Sequence, residues 1–193
     1  MKTIDCRNMA CPMPVVMVKR ALEESPGEEL KVLLDDGPPR ENVTRFAVNR
    51  GFTIEETPLD SGYAILISGS AGETLAIKKV KSGDSVMLIA SDRLGDGPDE
   101  LGRLLMKNFI NTLTEVSETP DLMLFVNTGV FLTTEGSDVL EALEKLGNKG
   151  VEIASCGVCL DFFHRREKLK AGSITNMFII AESLLKAGSA IRL

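Results

Sequence analysis

Apolar segments recur along this chain in two rhythms, and the change between them falls between Ser68 and Ser85. Before it, short strand-like runs alternate with two amphipathic stretches. After it, near-continuous apolar runs alternate with longer helical patterns. One core does not change period in this way, so the 193 residues are expected to form two units. The small-residue run Ser68-Gly69-Ser70-Ala71-Gly72 is the natural break. We expect a first domain over 1–69, a linker over 70–84 and a second domain over 85–193.

In the first domain the pattern predicts a strand over 1–6 and a helix over 12–24 with Val15, Val18, Ala21 and Leu22 on one face. Ser25-Pro26-Gly27 ends that helix. A strand over 30–35 follows, then a loop at Asp36-Gly37-Pro38-Pro39. A second helix over 41–50 lines up Val43, Phe46, Ala47 and Arg50, with Gly51 placed to close it. Strands over 52–56 and 63–68 flank the turn Leu59-Asp60-Ser61-Gly62. The order β-α-β-α-β-β predicts a two-layer sandwich, a sheet covered by two helices.

Residues 75–80 can form a short strand within the bridging segment. In the second domain, apolar runs at 86–90, 122–126 and 151–154 predict buried parallel strands, with a last strand over 189–193. A helix over 98–115 is expected to turn Leu101, Leu104, Leu105, Phe109, Ile110 and Leu113 inward. Further helices are expected over 137–146, with Ser137 as N-cap and Gly147 as stop, and over 159–169 and 175–186. The whole is an α/β chain whose second domain is layered around a mainly parallel sheet.

Composition narrows the function. The net charge is -6 and no basic patch dominates, which argues against nucleic acid as a partner. With no Trp and one Tyr, stacking on bases or sugars is not the main activity. The cluster Arg165, Arg166, Lys168 and Lys170 reads as a solvated helix face. A charge stands at Lys2 before any apolar leader can form, and no run reaches transmembrane length, so no membrane association and a cytoplasmic location are expected. There thiols stay reduced, and the four cysteines become candidates for chemistry rather than for a disulfide frame.

Cys11-Pro12-Met13-Pro14 is the first candidate centre. A cysteine beside a helix start meets unsatisfied N–H groups and the positive end of the dipole, which favour a thiolate. Pro12 and Pro14 fit the first helical turn and stiffen it. They are expected to leave the Met13 and Val15 N–H groups facing the sulfur. Cys6 reads as a small buried residue, with a resolving thiol for Cys11 as the alternative. Met9, Met13 and Met17 read as core, or as an adaptable docking patch.

Cys156-Gly157-Val158-Cys159 is the second. It follows a strand, where open α/β sheets gather their reactive groups. A C-x-x-C pair can polarise one thiol and use the other to resolve a persulfide or disulfide. Half a zinc site is the rival reading, with only His164, Cys6 and Cys11 left as ligands. No metal or other cofactor is expected. His164 reads as a surface histidine on a helix, with a base for Cys159 as the alternative. The loop Asp92-Arg93-Leu94-Gly95-Asp96-Gly97-Pro98 lacks the third glycine of a dinucleotide fingerprint and the lysine of a P-loop, and it reads as a flexible loop.

Asp5, Cys11-Pro12-x-Pro14, Lys19-Arg20-Ala21-Leu22 and Asp35-Asp36 together resemble the TusA/SirA-like family of small sulfur carriers, over roughly 1–70. Where that family has glycine, this chain has Asn8, which tolerates left-handed backbone. The second domain is similar to the DsrE/DsrF-like family. The joined arrangement, with Cys156-x-x-Cys159-Leu160-Asp161 and Gly172-x-x-Thr175-Asn176-Met177, resembles the YedF family of selenium-metabolism proteins. The resemblance implies a persulfide on Cys11, exchange at Cys156 and Cys159, and supporting roles for Asp5, Pro12, Pro14, Gly157 and Asn176. It also implies a cysteine desulfurase or related donor, a downstream acceptor protein, and a homo-oligomer. The expectation is a sulfur or selenium carrier, sulfurtransferase-like. The alternatives are a thiol-disulfide oxidoreductase built on Cys156 and Cys159, and a non-enzymatic regulatory or scaffold protein.

Overall fold

The computed structural model describes residues 1–10, 12–48, 50–69 and 83–193. Cys11, the 75–80 strand and nearly all of the expected linker lie outside the described residues. The chain divides into two compact units, Met1–Lys78 and Lys79–Leu193.

The first unit contains β1 (Lys2–Asp5), α1 (Met13–Glu24), β2 (Leu30–Leu34), α2 (Pro38–Val48), β3 (Thr53–Pro58) and β4 (Tyr63–Ser68). The sheet order is β1-β2-β4-β3. β1 runs parallel to β2, and the β2–β4 and β3–β4 pairs are antiparallel. Alternation on β2 buries Leu30, Val32 and Leu34, which pack with Val15, Val18, Val43 and Phe46 from the helices. The expected sandwich is present. One boundary moves: α2 begins at Pro38, not 41, because a proline needs no N–H partner in a first turn.

The second unit contains β5 (Ser85–Ile89), α3 (Asp99–Leu113), β6 (Leu122–Phe125), α4 (Leu140–Asn148), β7 (Glu152–Cys156), α5 (Gly157–Phe162), β8 (Ser173–Thr175), α6 (Met177–Lys186) and β9 (Ser189–Arg192). All five strands are parallel, in the order β8-β7-β6-β5-β9. Met87, Ile89, Met123, Phe125 and Ile153 point into one core with Met106 and Ile110 of α3 and Leu143 and Leu146 of α4. The β8-to-β9 crossover runs back across the sheet, and the right-handed rule puts α6 on the other face. Among the described residues no helix is long and apolar enough to cross a membrane.

Five expectations are corrected. α3 buries Gly102, Met106 and Ile110, while Leu101, Leu104 and Leu105 are exposed. A Cβ on Gly102 would stand 2.9 Å from Arg93 Cβ, so the helix comes closest along its glycine line rather than its leucine line. Ser137 does not cap α4, which starts at Leu140 behind a 3₁₀ turn over Asn127–Thr133, and it runs through Gly147 to Asn148. The helix expected over 159–169 is only Gly157–Phe162. His164 is not on a helix: at φ 53 it closes α5, and Arg165 N–H donates back to Leu160 O at 2.7 Å. The basic cluster is a solvated face only in part: Lys168 and Lys170 are exposed. Arg166 pairs with Asp161, and the Arg165 guanidinium lies over Phe131.

Candidate functional sites

In the first unit, the segment between β1 and α1 is pinned from two sides. Asp5 Oδ1 accepts the Arg7 N–H at 3.1 Å, and its Oδ2 pairs with the Arg7 guanidinium at 2.6 Å. Those bonds hold the Asp5 carboxyl at about 2. Asp35, just behind β2, accepts the Asn8 N–H at 2.6 Å. Asn8 takes φ 60, the left-handed conformation its residue type tolerates. Pro12 occupies the N-cap of α1, and Pro14 is buried in its first turn.

One expectation about this segment changes. The Met13 N–H donates to Ala10 O at 3.0 Å, so it is engaged within the turn. Cys6 is fully buried, and burial pushes its thiol up to about 11. It is a protonated core thiol, as its plainer reading held. Met13 is exposed, and Met9 and Met17 are half-buried.

In the second unit the reactive pair stands at the carboxyl edge of the sheet. Cys156 ends β7 and is 1% exposed; Cys159 lies in α5 and is half-buried. The Asn127 N–H, from the 3₁₀ turn behind β6, donates to Cys159 Sγ at 3.1 Å. The Cys156 thiol lies beside the same sulfur and interacts with it. These two interactions hold Cys159 down to about 6, against its burial. The same interaction between the thiols, aided by burial, pushes Cys156 far above the ordinary thiol range. The contacts therefore favour Cys159 as the member that ionises first, with the more deeply buried Cys156 keeping its proton.

The source of this asymmetry differs from the sequence expectation. A helix start acts most on the cysteine at its N-cap, which here is the buried Cys156. Cys159 is held down chiefly by the neighbouring Cys156 thiol, with the Asn127 N–H from the neighbouring strand as the second support. Gly129 seats that turn: a Cβ there would lie 2.3 Å from Ile89 O. Sequence reasoning missed Asn127, because its contribution is a backbone N–H.

Gly157 opens α5 and is buried. Asn176 caps α6, its Oδ1 accepting the Ile179 N–H at 3.0 Å. The exposed Val158 and Phe162 stand on α5 to either side of Cys159 in sequence. The loop after β5, expected to be flexible, is tied down: Leu94 N–H donates to Gly102 O at 2.9 Å, and Asp92 pairs with Arg103 at 3.1 Å. It rims a cleft of about 430 Å³ shared with Asn127 and Arg192. Among the described residues, no three His, Cys, Asp or Glu side chains gather as a metal site.

Residues 2–69 match the family Sulfurtransferase TusA. A Methanocaldococcus jannaschii protein named as a sulfur carrier is 46% identical over 71 residues, 35% of this chain and 92% of that protein. The chain belongs to the TusA family. The matched residues lie in the first unit, and the pinned segment leading to Cys11 lies within them. Among solved structures, a SirA-like protein from Desulfitobacterium hafniense is 33% identical, covers 36% of this chain and 99% of its own, and has a TM-score of 0.35. The ychN protein from E. coli is 16% identical, covers 57% of this chain and 99% of its own, and has a TM-score of 0.45.

Proposed function

We propose that this chain is a two-domain chalcogen carrier with the domain order of the YedF family: a TusA-type domain over 1–69, a linker over 70–84, and a DsrE/DsrF-like domain over 85–193. Cys11 accepts a sulfane sulfur or selenium atom from a cysteine desulfurase or a related donor. Its thiolate attacks the outer atom of the donor's persulfide. A bond forms from Cys11 sulfur to that atom, the donor's S–S bond breaks, and the donor cysteine leaves as thiolate. Cys159 takes the atom in the same way, and a downstream protein removes it. The chain works in the cytoplasm and as a homo-oligomer.

One observation carries this reading. A chain with a TusA domain also holds a second, partly exposed sulfur, Cys159, which accepts the Asn127 N–H and whose thiol is held below its ordinary range by the Cys156 thiol and by that bond. Exposed Val158 and Phe162 beside it suit a protein-borne donor or acceptor. A thiol-disulfide oxidoreductase would use the same pair, but membership of the TusA family gives it no role for the first domain.

The test is intact mass and peptide mapping after incubation with a cysteine desulfurase and cysteine or selenocysteine. The expected result is an added chalcogen on Cys11, removable by reductant, and loss of transfer in Cys11→Ser. Transfer that is unchanged in Cys11→Ser would count against the carrier. A Cys156–Cys159 disulfide with no adduct on Cys11 would establish the oxidoreductase instead.

A further inference from the structure

The carboxyl edge of the second sheet holds a hydrogen-bond donor that the site above leaves unused. Three adjacent strands end there, and each delivers one donor. Asn127, behind β6, gives its N–H to Cys159. Cys156, ending β7, brings its thiol beside the same sulfur. Thr175, ending β8, is the register partner of Cys156. Thr175 is 2% exposed, and its Oγ1 has no hydrogen-bond partner among the described residues.

Register partners on neighbouring strands point to the same face, about 4.8 Å apart along the sheet. The Thr175 side chain therefore lies on the same face as that of Cys156, next to it across the strands. A buried hydroxyl without a partner costs free energy that a valine of the same shape would avoid. Neighbouring buried polar groups are satisfied. Ser155 Oγ meets Thr133 Oγ1 at 2.8 Å, and Asn176 caps α6. Among the described residues of this sheet edge, the buried hydroxyl without a partner is the one at the position paired with Cys156.

We propose that Cys156 is a buried storage position for the transferred chalcogen, and that the Thr175 hydroxyl is the donor that holds the outer atom there. The inference rests on the reading of Cys159 as the accepting thiol. In the transfer step, Cys159 carries the outer sulfur as a perthiolate. The Cys156 sulfur attacks that outer atom and forms a new S–S bond. The bond from the outer atom to Cys159 breaks, and Cys159 leaves as thiolate. The proton of Cys156 passes to the outer sulfur. One perthiolate and one thiol become one thiolate and one hydropersulfide, so charge and electrons balance without an oxidant or reductant. Thr175 acts as a positioning residue for Cys156, and Cys159 is returned ready for the next donor.

The experiment uses the full chain carrying Cys11→Ser, loaded with inorganic polysulfide. Alkylation and fragment masses locate the sulfane sulfur, and cyanide converts it to thiocyanate at a measurable rate. The expected result is sulfur mainly on Cys156, released slowly. Thr175→Val should speed release roughly five- to tenfold, the worth of one hydrogen bond in a rate, and Thr175→Ser should restore it. Thr175→Val should also raise Tm by about 2–4 °C, which loss of a merely structural hydroxyl bond would not do. No sulfur on Cys156 or Cys159 in the parent overturns the accepting reading and this one together. Sulfur confined to Cys159 overturns the storage position alone, whether or not the valine variant folds. Release from Thr175→Val at the parent's rate removes Thr175 from the site.

Discussion

The Asn127 N–H reaches Cys159 Sγ across 3.1 Å, joining the turn behind one strand to the helix behind the next. A backbone donor cannot be removed by changing its own side chain. The adjustable half of the thiolate's support is the Cys156 thiol. Cys159 alkylation should therefore titrate with a midpoint of about 6. The sign is fixed by the lowered value: the rate is near its plateau at neutral pH and falls as the pH drops below the midpoint. Cys156→Ala removes one donor to a charged sulfur and should raise the midpoint by about 1–2 pH units. Rates with iodoacetamide, read from the Cys159 peptide across the pH range, decide this. An unmoved midpoint would assign the whole effect to Asn127.

Gly129 offers access to the other half. Its missing side chain lets the 3₁₀ turn close over Ile89 O, where a Cβ would sit at 2.3 Å. Gly129→Ala must push the turn outward and carry Asn127 with it. We expect a loss of roughly 1–3 kcal/mol in urea unfolding, as for other overpacked positions. The Cys159 midpoint should rise in the same variant. A destabilised protein with an unchanged midpoint would separate the turn's position from the sulfur's charge.

How far this arrangement was legible in the sequence depends on which group supplies each part. The strands and helices of the first unit follow from alternation on β2 and the apolar faces of α1 and α2, and the expected order is the observed one. The Cys156–Cys159 spacing announced a polarised pair. Which member ionises first did not follow, because one of the two supports of Cys159 is a main-chain N–H brought over from another strand. β8 escaped notice at three residues, and with it the pairing of Cys156 with Thr175. No glycine or proline marks the end of α5, so the sequence pattern carries the helix through His164. The chain turns there through a left-handed histidine instead.

Asn8 makes a sharper point about sequence and backbone. Its φ of 60 and the Asp35 bond to its N–H fix the path toward Cys11. Glycine would adopt this conformation without steric cost, whereas alanine pays about 1–2 kcal/mol for a left-handed residue. Asn8→Gly should change stability by only a few tenths of a kcal/mol, within ~0.5. Asn8→Ala should lose about 1 kcal/mol or more. Paired urea titrations of the full chain give both values, and equal stability in the two variants would mean the turn is not held in this conformation in solution.

The face of α3 can be tested by a pair of substitutions two residues apart. Met106 is fully buried against the sheet, while Leu104 is 54% exposed. The sequence offers two overlapping apolar lines, Leu101–Leu104–Leu105 and Gly102–Met106–Ile110, and more large side chains lie on the first. Close approach decides between them, since only the line through Gly102 lets the helix meet the loop at Arg93. Met106→Ala removes a filled core position and should cost about 2–5 kcal/mol. Leu104→Lys places a charge where the side chain already meets water, so its effect on the unfolding of the isolated protomer should stay within about 0.5 kcal/mol. Thermal and urea unfolding of both variants measure this contrast at low protein concentration. If Leu104→Lys also costs several kcal/mol there, α3 is rotated by about 100° per residue step toward its leucine line. If the cost appears only at high concentration, the leucine line is covered by another copy of the chain.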